Sequence, residues 1–299
     1  MIRLVRHAWV AALVVAAVGG CSGAATAAPQ QTGGGLQTIT ADGKPRTYLI
    51  ETPQVSGPAP TVIMLHGLGG AAQGVMKSSG LAGLGGQQGF VAVFPNGINH
   101  QWNHFPPDKV PAPFVKRAKG DVPNDVDFLN ALLADLIQRG ITDPKRVYLA
   151  GFSVGGFMAM RLACLEADKF AAIALISSTM TEPESEGCTP DAPLPAVIIK
   201  GTADKTVPYD GGEVMPERTF TVWSADQLTA FFTKLDGCTG AAQASQIPGS
   251  GGQTIDVSNW SNCANGPVTL YKVNGGEHAI YKLPPPAKTM WAFFRDHSR

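Results

Sequence analysis

The pentapeptide Gly151-Phe152-Ser153-Val154-Gly155 has the residue types of a nucleophile turn. An apolar run, Val147 to Ala150, leads into it, and a helical pattern from Phe157 to Ala163 leads away. Where a strand turns directly into a helix, a serine at the bend projects its hydroxyl above the sheet edge. Glycines on both sides remove the Cβ atoms that would collide as strand and helix close on each other. A serine hydroxyl is a poor nucleophile until a base takes its proton, so the chain must also supply an imidazole and an acid that orients it.

On a strand–turn–helix scaffold of this kind the acid and the histidine follow the serine in chain order. Of the six histidines, His7 lies in the N-terminal leader, and His66, His100 and His104 precede Ser153. His297 falls at the end of the last helix and is expected to be solvated. His278 remains, in "VNGGEHAI", a glycine-rich turn directly after a strand pattern. The acid is expected between the two, and "PAVIIKGTADKTVPYD" offers Asp204 just beyond an apolar strand, with Asp210 as the second candidate. Negative charge developing on an attacked carbonyl needs donors. The backbone N–H of Val154 is one, and that of Leu68, in the "MLHGLGG" loop after an early strand, is the other. His66 is expected to support that loop.

The elements that must position these residues alternate. Strand patterns at "RTYLIET", "TVIMLHG", "GFVAVFPNG", "RVYLA", "FAAIALIS", "PAVIIKG" and "VTLYKVNGG" are interleaved with helical ones. In "DVDFLNALLADLIQRG" the apolar residues recur at helical spacing, and "SADQLTAFFTKLDG" opens with Ser224 and Gln227 in capping-box spacing. "AKTMWAFFRDH" is a last helix. Apolar strands alternating with amphipathic helices predict an α/β fold: a mostly parallel central sheet covered on both faces, in one domain over residues 36–299. Asp121, Asp125 and Asp127, near the start of the first of these helices, are read as carboxylates favoured by the helix dipole rather than as metal ligands.

Charged side chains are only 15% of the 299 residues, and basic and acidic ones balance. A nucleic-acid partner is therefore not expected. The N-terminus reads as an export signal over residues 1–20, with Arg3 and Arg6 before the apolar "WVAALVVAAV". Val18-Gly19-Gly20-Cys21 resembles a bacterial lipoprotein box, which implies lipidation at Cys21 and a membrane partner through the lipid; the alternative is an ordinary secretory signal cut nearby and a secreted protein. Residues 21–35, small and polar, read as a flexible tether. An exported chain meets an oxidising compartment, so Cys164, Cys188, Cys238 and Cys263 are expected in two disulfides. Four cysteines allow three pairings, of which the sequential one closes two loops of moderate length and is the expectation.

In order, "TVIMLHGLGG", "VFPNGINHQWN", "DVDFLNALLADL", "GFSVGGFMAMRLAC", "KGTADKTVPY" and "NGGEH" resemble the blocks of the secreted polyhydroxybutyrate depolymerase and feruloyl esterase group, carbohydrate esterase family one. The resemblance runs from about Leu36 to the end. It implies an α/β-hydrolase fold and a serine carboxylic ester hydrolase that needs no metal or organic cofactor. It also implies a triad of Ser153, Asp204 and His278, substrate contact by Trp102, and the sequential disulfides. The substrates implied are polyhydroxyalkanoate esters or feruloyl and acetyl esters of polysaccharide, in small or oligomeric form. Two positions depart from the pattern: Lys200 stands where relatives commonly have His, and Glu277 where they often have Gly. Two rival readings are a cell-surface lipoprotein that keeps the fold but only binds, and a peptidase of the same fold.

Overall fold

The apolar strands of this chain are buried on both faces, which is what a central parallel sheet requires. In the computed structural model, which describes residues 34–117, 122–214, 220–279 and 285–299, they form the middle of a ten-stranded sheet of order β1-β2-β4-β3-β5-β6-β7-β12-β11-β10. The export signal, Cys21, nearly all of the tether and Asp121 lie outside the described residues. β1 (Gly35–Ala41), β2 (Lys44–Glu51), β3 (Ala59–Leu65) and β4 (Val91–Pro95) build one half. β5 (Thr142–Phe152), β6 (Ala172–Ile176), β7 (Ala196–Gly201) and β12 (Val268–Val273) continue the parallel centre. The edges are antiparallel: β1 and β2 on one side, β10 (Gln243–Pro248) and β11 (Thr254–Trp260) on the other. A short ribbon of β8 (Gly212–Glu213) and β9 (Thr221–Val222) stands apart.

Alternate strand residues feed two separate cores. Ile63, Leu65, Leu149, Ile173 and Ile198 face α4 (Asp125–Gln138), α5 (Val154–Leu165) and α7 (Ala225–Leu235), packing with Leu132, Met158, Leu162 and Phe232. Val62, Met64, Ala150, Ala174 and Ile199 face the opposite layer, α1 (Ala72–Ser79), α2 (Leu81–Gln88) and α8 (Pro286–Phe294), with Val75, Leu81, Met290 and Phe294. The side-chain period of two thus sends each strand into both layers. The capping box expected at Ser224 is formed, with Gln227 N–H donating to Ser224 Oγ and Ser224 N–H to Gln227 Oε1.

Among the described residues there are also two short α-helices, α3 (Ala112–Arg117) and α6 (Glu182–Ser185), and several single turns of 3-10 helix. Disulfides join Cys164 to Cys188 and Cys238 to Cys263, the sequential pairing. The first ties the end of α5 to the segment after α6. Among the described residues no helix is long and apolar enough to cross a membrane, and no group of His, Cys, Asp and Glu is arranged to hold a metal ion.

The dipole reading of the α4 acidic residues needs one correction. Asp127 sits in the first turn, where Asn124 caps the helix. Asp125, however, is buried: its Oδ1 accepts from Arg46 at 2.5 Å and its Oδ2 from the Asn103 N–H at 2.7 Å. Burial pushes its carboxyl up, against the pull of the Arg46 charge and the Asn103 amide. Its task is to pin the 101–104 loop to the sheet.

Candidate active site

Ser153 directly follows β5 and is the N-cap of α5, with φ 54° and ψ −123°, a conformation that L side chains rarely adopt. The bend is this sharp because the flanking residues are glycine. A Cβ on Gly151 would lie 2.3 Å from the Gly155 carbonyl oxygen, and one on Gly155 would lie 2.4 Å from the Leu65 oxygen. The serine backbone is held from both sides: its N–H donates to the Ile176 carbonyl at 3.0 Å, and its carbonyl accepts from Ser178 Oγ at 2.8 Å.

His278, in the loop after β12, reaches Ser153 Oγ with Nε2 at 2.9 Å and Asp204 Oδ2 with Nδ1 at 2.9 Å. Asp204 lies in the turn after β7, where its Oδ1 accepts from the Thr206 and Val207 amides, both at 2.9 Å. Burial alone would raise the Asp204 carboxyl. The His278 hydrogen bond, the Lys200 charge and the Val207 amide together outweigh it and hold the group below the usual carboxylate range. Lys200, which departs from the family pattern, is wholly buried beside this acid. Its Nζ donates to the Val207 carbonyl at 2.6 Å and stands 3.9 Å from Asp204 Oδ2, while burial pushes its ammonium down to about 8. Asp210, the alternative acid, is exposed on the surface.

A cleft of about 280 Å3 opens over Ser153. Gly67, Leu68 and Val154 line it beside Ser153 and His278. Val154 is the first helical residue, so its N–H has no acceptor within α5. The remaining wall is mostly aromatic: Phe105, Phe114, Phe152, Phe157 and Phe220 contribute, with Val207, Val214, Gln101 and Thr206. His104 joins them with its Nδ1 2.8 Å from Glu184 Oε1, both side chains buried.

Trp102 is not where the sequence placed it. It is fully buried and lies outside the cleft lining, its Nε1–H donating to the His66 carbonyl at 2.9 Å and its ring 4.9 Å from the His66 ring. An indole whose donor is satisfied by backbone stabilises a loop from beneath, so Trp102 supports the wall rather than touching what lies in the cleft. His66 is locked in the same way, Nδ1 to the Gly67 oxygen at 2.8 Å and Nε2 accepting from the Gly97 N–H at 3.0 Å. Burial keeps it neutral by lowering its pKa. His297 is half-buried rather than solvated, with Nδ1 donating to the Phe293 carbonyl at 2.7 Å.

The sequence reading missed the His104–Glu184 pair and the phenylalanine wall. One signal was present: Thr181 and Glu184 stand in capping-box spacing, which α6 uses.

With this geometry in view, the comparisons with known proteins are decisive about kinship. The model of the phospholipase/carboxylesterase family matches residues 49–235. The chain belongs to that family. Feruloyl esterase B of Piromyces equi is 29% identical over 249 residues, covering 80% of this chain and 42% of that protein. NocK, of Nocardia uniformis subsp. tsuyamanensis, is 32% identical over 60% of this chain and 52% of its own. The chain thus spans about half the length of these two relatives. Feruloyl esterase D of Neurospora crassa is 26% identical and covered to 85%, against 86% of this chain. Among solved structures, an acetyl xylan esterase from Aspergillus awamori superposes with a TM-score of 0.58 at 15% identity, over 88% of this chain and 99% of its own. At that identity the likeness is one of fold, and the fold is the α/β-hydrolase fold.

Proposed function

We propose that this protein is an exported serine carboxylic ester hydrolase that works through an acyl-enzyme and accepts aryl acyl esters of the feruloyl type. The observation that carries the reading is His278 standing 2.9 Å from both Ser153 Oγ and Asp204 Oδ2, on a serine held at φ 54°.

In this reading His278 Nε2 takes the Ser153 proton as Oγ attacks the ester carbonyl. The oxyanion is received by the N–H of Val154 at the start of α5, where the helix dipole favours negative charge, and by that of Leu68 in the loop after β3. Asp204 holds the ring tautomer and stabilises the imidazolium. His278 then gives its proton to the leaving alcohol, and water, activated by the same ring, releases the acid. The aromatic wall of the cleft favours a flat, apolar acyl group over a short aliphatic hydroxyacyl chain, and the relatives named as feruloyl esterases agree with that preference. Two disulfides fit an oxidising compartment. Anchoring through a lipid on Cys21, after removal of residues 1–20, completes the proposal.

The test is kcat/KM of residues 36–299 on methyl ferulate, an acetylated xylo-oligosaccharide and a soluble hydroxybutyrate trimer, with Ser153→Ala as blank. The expected result is a Ser153-dependent preference for the ferulate. Preference for the trimer would replace the aryl acyl group with an aliphatic one. No activity above the blank, together with no labelling of Ser153 by a fluorophosphonate, would favour a protein that only binds.

A further inference from the structure

Beside the catalytic groups, Gln101, Thr206 and His104 bring polar side chains to the cleft, and His104 is the one set among its aromatic rings. His104 has its imidazole centroid 3.9 Å from that of Phe105, 5.2 Å from that of Phe157 and 5.8 Å from that of Phe220, and all of these rings line the cleft. A buried histidine among phenylalanines is costly unless its nitrogens are satisfied.

Nδ1 is satisfied by Glu184 Oε1. Glu184 is itself fixed, because Oε2 accepts from the Thr181 N–H at 3.1 Å and its own N–H donates to Thr181 Oγ1. The Cys164–Cys188 disulfide ties the segment just after α6 to α5. Both carboxylate oxygens are acceptors in this arrangement, so Nδ1 carries a proton towards Glu184, and the tautomer with its single proton there has its lone pair on Nε2. Among the described residues no partner is found for Nε2.

We propose that His104 Nε2 is a specificity-determining acceptor for a hydroxyl carried on the acyl group of the substrate, held in that tautomer by Glu184. The class of ligand is an aryl acyl ester with a free phenolic O–H. The phenol donates to Nε2 while its ring packs among Phe105, Phe157 and Phe220. No bond is made or broken at this position. This inference rests on the ester-hydrolase reading above and deepens it. A site built to accept a hydrogen bond rejects the analogue that lacks the donor, since the buried acceptor is then left unpaired.

The experiment compares kcat/KM for methyl 4-hydroxycinnamate, methyl 4-methoxycinnamate and methyl cinnamate, with 4-nitrophenyl acetate as a general ester. The wild-type protein is expected to favour the phenol over both of the others by about tenfold or more. In His104→Phe, which keeps an aromatic ring beside Phe105 and Phe157, the ratio is expected to fall towards one. Glu184→Gln should lower it as well, because the amide no longer fixes the proton on Nδ1. A wild-type ratio near one overturns the inference whether or not any variant folds. So does a His104→Phe protein with a wild-type melting temperature and an unchanged ratio. Hydrolysis of the acetate but of none of the three cinnamates would overturn the aryl acyl pocket and this inference with it. Absence of any Ser153-dependent hydrolysis would instead overturn the ester-hydrolase reading.

Discussion

At Ser153, backbone strain falls on the residue proposed as the nucleophile. A non-glycine residue held at φ 54° costs on the order of 1–3 kcal/mol, and the surrounding glycines and hydrogen bonds sustain it. Ser153→Gly is therefore expected to be more stable than Ser153→Ala by about 1 kcal/mol in urea unfolding, although both should be inactive. Equal midpoints would mean that the bend is unstrained. Lys200 makes a second claim on stability. Burial lowers its pKa from 10.5 to about 8, so between those values the unfolded chain binds more protons than the folded one, and stability gains from this group as pH rises. Below pH 8 the ammonium is retained in the core at a cost of about 3 kcal/mol. The stability advantage of Lys200→Met over wild type should accordingly shrink between pH 8 and pH 10. A difference independent of pH would show that the ammonium is not destabilised by its surroundings.

Among the elements, the loop of residues 101–104 depends on a strand and a helix far from it in sequence. Arg46 of β2 and Asp125 of α4 form a buried pair, and Asp125 also holds the Asn103 amide. Removing one partner of a buried pair strands the other charge, which typically costs about 3–5 kcal/mol. Asp125→Ala should lose stability in that range and also lower kcat/KM, because the loop carries His104 into the cleft. Loss of stability with unchanged kinetics would separate the pair from the site. The close approach of α5 to β3 makes a similar demand. The Cβ of Gly155→Ala would meet the Leu65 and His66 carbonyl oxygens at 2.4 and 2.5 Å, so this variant should melt well below wild type or fail to fold.

Over the whole molecule, two disulfides of sequence separation 24 and 25 lie on the same side of the sheet as α5 and α7. Loops of that length are worth about 3 kcal/mol each in chain entropy. Reduction should lower Tm by about 10 °C or more. Mutating Cys164 and Cys188 together should weaken discrimination among acyl groups more than mutating Cys238 and Cys263, since only the first pair restrains the segment holding Glu184. Equal effects on selectivity would place the cleft wall beyond the reach of either crosslink.

The sequence by itself determined the sheet and the serine turn. Long apolar strands, glycines at fixed offsets and a capping box are local patterns, and α4, α7 and β3 to β7 follow from them. The order Ser153, Asp204, His278 was legible for the same reason: each stands at the end of a recognisable strand. Less was legible at the edges. The glycine-rich α1 and α2 and the polar strands β1, β10 and β11 have weak periodicity, and only pairing with neighbours fixes them. Tertiary structure alone decided which side chains face the cleft. Trp102 and His104 are two residues apart, yet one lies beneath the loop and the other in the wall. Arg46 and Asp125, 79 residues apart, pin the loop between them, and Glu184, 80 residues from His104, satisfies the buried imidazole. Side-chain direction in an irregular loop is set by such distant partners, which sequence spacing does not encode.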